Sequence, residues 1–180
     1  MRLSPGNDAP EFSTKSLRGD PIQLSALKSK PVWLAFFRFA SCPLCNLRVH
    51  QIVGEWSRFS ERDVTVLGVF QSPPKKLEEY VAKQNPPFTL IADPEMDLYR
   101  LYGVEASAKG LLSADVPKGM VGAAKVGLPL VRPWQGPATR IPADFLIDRD
   151  GKVHTAFYGT NIAEHIPFED VERFLDAVQA

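Results

Sequence analysis

The stretch PVWLAFFRFASCPLC, running from Pro31 to Cys45, decides how this chain folds. It opens with the apolar run Val32-Trp33-Leu34-Ala35-Phe36-Phe37, far short of the ~20 residues that cross a bilayer as a helix. A continuous apolar run of this kind reads as a strand buried on both faces, the central strand of a parallel sheet. The run stops at Arg38 and leads into Ser41-Cys42-Pro43-Leu44-Cys45. Beyond it, Cys45, Val49, Ile52, Val53, Trp56 and Phe59 fall on one helical face. A Cys-x-x-Cys therefore stands where a buried strand hands over to an amphipathic helix. Pro43 suits the first helical position, where a missing N–H costs nothing. Cys42 is then expected at the cap, exposed, facing free backbone N–H groups and the positive end of the helix dipole. Such a setting favours the thiolate, which is the nucleophile.

Length and charge narrow the classes. A chain of 180 residues is expected to form one domain and to bury roughly 70% of its unfolded surface, so it needs no disulfide staple. Lys and Arg total 21 and Asp and Glu total 21; this balance argues against nucleic acid and anionic membranes as partners. The first residues, MRLSPGNDAPEF, lack an apolar signal core, and a cytoplasmic location is the default expectation. Both cysteines of the chain lie in the one motif. A bridge between them closes a tiny loop and adds little stability by chain entropy, so the pair points to chemistry.

Outward from the motif, the chain alternates strands and helices. On the N-terminal side, Ala9-Pro10-Glu11-Phe12 is extended, and a small hairpin turns at Arg18-Gly19-Asp20 before Ile22-Gln23-Leu24-Ser25. On the C-terminal side, Val64 to Phe70 reads as a second buried strand. Ser72-Pro73-Pro74 opens a helix with Leu77, Tyr80 and Val81 on one face. Phe88 to Ile91 is a short strand. Asp93 and Pro94 are placed to cap and open a helix from Glu95 to Tyr102, closed by Gly103. Residues 104–139 read as an insertion with a short helix at Lys118–Lys125, either shaping a substrate groove or acting as a structural lid. Ala143 to Asp148 is a strand, Asp150-Gly151 a two-residue hairpin turn, and Lys152 to Tyr158 its partner. Pro167 opens a last helix with Val171, Phe174, Leu175 and Val178 on one face. This is an α/β pattern, and strand, Cys-x-x-Cys, helix and a later Pro-led hairpin form the thioredoxin arrangement.

The chain resembles the thioredoxin superfamily and, within it, the peroxiredoxin-like (AhpC/TSA-type) proteins, most closely an atypical branch with a dicysteine motif. The resemblance is carried by Ala9-Pro10-Glu11-Phe12 with Leu24-Ser25-Ala26-Leu27, by Phe36 to Cys45, by Phe145 to Val153, and by Gly159 with His165-Ile166-Pro167. It implies a thioredoxin fold: a central mixed sheet flanked by helices, with an N-terminal hairpin and an insertion before the last hairpin. One departure stands out. The signature P-x-x-x-T-x-x-C, laid on this sequence, puts Arg38 at the Pro, Cys42 at the Thr and Cys45 at the peroxidatic cysteine. In the thioredoxin register Cys42 attacks and Cys45 resolves. Ile141-Pro142 then stands where thioredoxin-like proteins have a cis-proline facing the dithiol. Typical peroxiredoxins carry an Arg at that point, and here Arg140 comes two residues earlier.

Two sulfurs three residues apart on one helical turn can attack and resolve in sequence, and with a peroxide one of them passes through a sulfenic acid. The other readings are a zinc half-site or an inert pair. Zinc needs four ligands, and only His50, His154 and His165 remain. Arg38 either stabilises the thiolate and contacts substrate or merely ends its strand. Ser41 either donates to the thiolate or serves a turn. Ile141 and Pro142, the latter if cis, are the candidate substrate-binding backbone. His50 reads as a surface residue and His165 as a structural one, and Tyr99, Trp134 and Phe157 read as packing residues.

The expected function is a thiol-dependent antioxidant oxidoreductase that reduces peroxides or disulfides without metal or organic cofactor. Its electrons would come from a thiol donor such as thioredoxin or glutathione, and a homodimer is an option. Two rivals stand beside it: a reductase or synthase of a lipid peroxide or endoperoxide with the insertion as its pocket, and a non-enzymatic redox sensor.

Overall fold

The computed structural model describes residues 2–130 and 139–179; Trp134 lies outside them. The N-terminal hairpin pairs β1 (Ser13–Lys15) with β2 (Pro21–Gln23), antiparallel, around the expected turn. The main sheet has five strands: β3 (Val32–Phe36), β4 (Thr65–Phe70), β5 (Thr89–Ala92), β6 (Ala143–Ile147) and β7 (Val153–Tyr158). Their order is β5-β4-β3-β6-β7, so the run after Pro31 is the middle strand, and every residue of it is buried. The β5-β4-β3 half is parallel and the β3-β6-β7 half antiparallel. This mixed sheet flanked by helices is the thioredoxin fold.

Alternation along β3 sorts the core into two layers. Trp33, Ala35 and Phe37 face the layer shared with α1 (Pro43–Gly54) and α6 (Phe168–Gln179), through Val49, Ile52, Phe174 and Leu175. Val32, Leu34 and Phe36 face the layer that holds Phe12, Ile22, Leu98, Tyr99 and Tyr102. Both cysteines lie in the first layer.

Several boundaries differ from the sequence pattern. The helix after the dithiol stops at Gly54, and Trp56 and Phe59 belong to or precede a separate short helix, α2 (Ser57–Ser60). Glycine propagates a helix poorly, and the apolar periodicity continues across the break because both pieces cover the same sheet face. The helix α4 (Asp97–Leu101) begins later than Pro94. Asp93 still caps it, accepting from the N–H groups of Asp97, Leu98 and Tyr99 at 3.0, 2.9 and 3.4 Å. The β6–β7 turn is one residue longer than expected: Asp148 and Lys152 pair across Arg149-Asp150-Gly151, and only Gly151 has positive φ. The insertion carries a helix, α5 (Asp115–Lys125), that contains the expected Lys118–Lys125 and extends it by one turn. α3 (Pro74–Tyr80) starts at the expected Pro-Pro. Among the described residues no helix is long and apolar enough to cross a membrane.

Candidate active site

The site forms where β3 ends. Phe37 still pairs with β4, donating its N–H to Val69 O. Arg38 to Ser41 then turn the chain into α1, with Cys42 as the N-cap residue and Pro43 at the first helical position. Three side chains fix this short turn. Ser72 Oγ accepts from the Ala40 N–H at 2.9 Å. Asn46 donates through Nδ2 to the carbonyls of Ala40 and Cys42 at 2.7 and 2.9 Å, and Gln84 donates to Asn46 Oδ1. Tyr99 places its hydroxyl between the carbonyls of Phe37 and Val69. No bonding role for any of these is legible in the sequence, where Ser72 reads as a helix opener and Tyr99 as a packing residue. For Asn46 a signal existed: a buried polar residue one position past the motif, on a helix whose neighbours are apolar.

The two sulfurs sit in different electrostatic settings. Cys42 Sγ accepts from the Arg38 guanidinium at 3.4 Å and from the Cys45 N–H at 3.3 Å. Cys45 Sγ accepts from the Arg38 N–H at 3.4 Å. Burial pushes the Cys42 thiol up, but the Cys45 thiol, the Arg38 charge and the N–H groups of Cys45 and Leu44 outweigh it. Cys42 settles at about 7, against an ordinary 9.0. Burial and the neighbouring Cys42 push the Cys45 thiol well above its ordinary value. One helix turn thus separates a thiolate from a thiol. Among the described residues, no three His, Cys, Asp or Glu side chains converge as a metal centre would require.

One expectation is corrected. Cys42 is not exposed: it and Cys45 are each 1% accessible. The insertion accounts for part of this cover, because α5 lies against the start of α1. A Cβ on Gly119 would sit 2.6 Å from Leu44 Cδ2, and one on Gly122 would sit 3.1 Å from Leu47 Cδ2. Val116 and Met120 of α5 pack on the apolar cluster that contains both sulfurs. Among the described residues of the insertion, α5 therefore packs as a cover on the start of α1. The Ile141–Pro142 bond, whose isomer the sequence leaves open, is trans, like every other peptide bond among the described residues. The backbone there is already engaged: Ile141 N–H donates to Glu105 O, and Pro142 O accepts from Gly159 N–H at 3.0 Å. A Cβ on Gly159 would meet that same Pro142 oxygen at 3.1 Å, so only glycine fits this approach without displacement.

Of the residues singled out in the sequence, the structure brings Arg38, Cys42 and Cys45 into contact and keeps Ser41 buried beside them in the turn. Ile141 joins the same apolar cluster, while Pro142 leads into β6, where Ala143 pairs with Phe36. Arg140 turns away, to Gln71, the Val104 carbonyl and Met96. His50 is exposed as expected. His165 is half of a buried pair with Asp144.

The sequence profile of the AhpC/TSA family matches residues 5–156. The chain belongs to the AhpC/TSA family. Its relatives in that family include the putative peroxiredoxin Rv2521 of Mycobacterium tuberculosis, 24% identical over 92% of this chain and 91% of that protein. Another is the putative peroxiredoxin bcp of Coxiella burnetii, 32% identical over 58% of this chain and 69% of its own. Among solved structures, the fold is similar to that of peroxidoxin BcpB from M. tuberculosis, with TM-score 0.71 at 18% identity, covering 99% and 100% of the two chains. It is also similar to a putative thiol:disulfide interchange protein DsbE from Chlorobium tepidum, with TM-score 0.66 at 21% identity and 99% of both chains. As an AhpC/TSA protein, the chain is a thiol oxidoreductase of the peroxiredoxin-like kind.

Proposed function

We infer that the chain reduces peroxides with Cys42 as the attacking thiolate and Cys45 as the resolving thiol. The observation that carries this reading is the unequal pair itself: Cys42 Sγ held by the Arg38 guanidinium at 3.4 Å and sitting at about 7, beside a Cys45 that burial keeps protonated. In the first step Cys42 sulfur attacks one oxygen of the peroxide, the O–O bond breaks, and the other oxygen leaves as an alcohol or water after taking a proton. Arg38 is placed to bear the charge that builds on the oxygens. Cys45 sulfur then attacks the sulfenic acid at Cys42, water leaves, and a Cys42–Cys45 disulfide remains. Two electrons from an external thiol, of the thioredoxin or glutathione class, restore the dithiol.

A second reading, exchange with protein disulfides, is favoured by one feature. A cysteine occupies the place of the threonine that would orient a peroxide, which gives the pair a thioredoxin-like order. The trans Pro142 and the engaged backbone of Ile141 speak against it, because an extended substrate chain has no open edge to pair with there. The lipid endoperoxide reading needs an apolar pocket at the insertion. The cleft beside Leu44 and Leu47 also carries Arg48, Asp115, Glu164 and His165, groups that a purely apolar substrate would bury without pairing.

Stopped-flow oxidation of the dithiol by hydrogen peroxide and by oxidised thioredoxin, run in parallel, tests the choice. Faster reaction with peroxide, lost in Cys42→Ser and halted at a sulfenic acid on Cys42 in Cys45→Ser, is the expected result. A sulfenic acid on Cys45 alone would reverse the two roles, and equal activity of both single variants would remove them.

A further inference from the structure

The turn that carries Cys42 is tied by two amides that reach it in series. Asn46 of α1 is buried, and its side chain has two N–H donors and one oxygen acceptor. Both donors go to the turn: Nδ2 lies 2.7 Å from the Ala40 carbonyl and 2.9 Å from the Cys42 carbonyl. The Cys42 carbonyl takes a second bond, from the Asn46 backbone N–H at 3.0 Å. The Asn46 side-chain oxygen faces the other way and accepts from Gln84 Nε2 at 2.9 Å. Gln84 closes the short 3₁₀ turn Ala82–Gln84 that follows α3, where its N–H donates to Val81 O at 3.1 Å. The same Nε2 lies 3.4 Å from the Asn46 backbone carbonyl, so this end of the Gln84 amide meets two acceptors. The other end, Oε1, is buried with no hydrogen-bond partner among the described residues. A buried oxygen left unpaired opposes folding, yet turning the amide over would set that oxygen against both acceptors.

We propose that Asn46 and Gln84 are positioning residues for the reaction: Gln84 sets which way the Asn46 amide points, and Asn46 holds the Cys42 sulfur against its two donors. The proposal deepens the dithiol reading above and rests on it. An amide buried among carbonyls gains nothing by presenting its oxygen to them, and that oxygen needs a donor elsewhere. Gln84 supplies the donor. The Ala40 and Cys42 carbonyls are then gathered on one nitrogen, while Ser72 Oγ holds the Ala40 N–H. This gives the Cys42 backbone one place relative to α1. Its sulfur accordingly has one place, 3.4 Å from the Arg38 guanidinium and 3.3 Å from the Cys45 N–H. Both contacts favour the thiolate, and both weaken steeply when donor and acceptor fall out of line. Both amides act through the Cys42 backbone, and a looser turn weakens the thiolate.

The test is the pH profile of Cys42 alkylation by iodoacetamide in the reduced protein, with the site of addition read by mass spectrometry. From a starting value of about 7, Asn46→Ala should move the profile upward by about one pH unit. Alkylation at pH 7 then slows about fivefold, and the deficit closes in alkaline solution. Gln84→Met keeps the side-chain length and removes the donor and the unpaired oxygen together. It should shift the profile the same way. The double variant should be no slower than Asn46→Ala alone, because Gln84 acts through Asn46. Stopped-flow oxidation of Cys42 by hydrogen peroxide at pH 7 should follow the same order. A single variant that loses stability in urea but keeps the original profile would mean a structural role, and additive slowing in the double variant would mean two separate effects; each overturns the proposal. Should Asn46→Ala fail to fold, Gln84→Met decides by the shift or its absence. An unaltered chain with no thiolate near neutral pH, or a profile that survives in Cys42→Ser, would overturn the dithiol reading itself, and this inference with it.

Discussion

The guanidinium of Arg38, the residue that follows the central strand, donates to the sulfur of Cys42, the residue that caps the next helix, across 3.4 Å. Strand end and helix start thus meet through an ion–sulfur contact, and the strand's rigidity fixes the charge beside the nucleophile. Replacing Arg38 with Met should raise the Cys42 pKa from about 7 toward its ordinary value. A rise of one pKa unit costs ~1.4 kcal/mol of thiolate stabilisation, so the ratio of thiolate to thiol at neutral pH should fall ~tenfold. Ultraviolet titration of the thiolate, with Cys42→Ser as blank, measures this.

The same shift makes the reduced protein's stability depend on pH. Cys42 has a folded pKa near 7 and an ordinary value of 9.0. A depressed acid stabilises the fold most above its unfolded pKa, and that gain is lost as pH falls through the folded one. Thermal stability of the reduced chain, relative to Cys42→Ser, should therefore rise between pH 7 and 9. Above that range Cys45, whose thiol is pushed up, works in the opposite sense. A flat difference curve would show that folding does not lower the Cys42 pKa.

Asp144 satisfies three donors at once: Trp33 Nε1, His165 Nδ1 and the Ile166 N–H. Asp144→Ala would leave the Trp33, His165 and Ile166 donors unpaired. Loss of one member of a buried charged network costs about 3–5 kcal/mol, which urea denaturation would resolve. A cost under about 1 kcal/mol would mean that water enters the layer.

The contact between α5 and α1 depends on Gly119. Gly119→Val would drive a side chain into the space of Leu44 Cδ2, 2.6 Å from where its Cβ would sit. Overpacking of this kind costs about 1–3 kcal/mol, enough to raise the population with α5 displaced ~tenfold. Alkylation of Cys42 should speed up by a similar factor while far-ultraviolet circular dichroism stays constant. Unchanged alkylation would show that α5 does not control access to the sulfur.

Much of this fold could be read from the sequence because its decisive signals are local. The apolar run before Arg38 has a single sensible place, the sheet centre, and Pro43 marks the helix start within one residue. The turn residues at Gly19, Gly103 and Gly151 each have positive φ, as a turn or helix end requires. What escaped was set by contacts between distant segments. Cys42 looks exposed on any helix tip, and the packing of distant segments, α5 about seventy residues later among them, buries it. The Asp144–His165 pair joins residues 21 apart whose meeting depends on the loop after β7 folding back across the sheet. Asn46 and Ser72 hold the active-site turn through hydrogen bonds that leave no periodic trace.

The sulfur of Cys42 is also the cap of its own helix, since it accepts from the Cys45 N–H. A side chain that terminates a helix in one chemical form and is consumed in another ties backbone order to electron count. Once Cys42 is oxidised, its negative charge is gone and the amide of Cys45 loses its charged acceptor. The leading turn of α1 should fray with each cycle, so amide hydrogen exchange at that turn would register, from the backbone alone, how many electrons the protein carries.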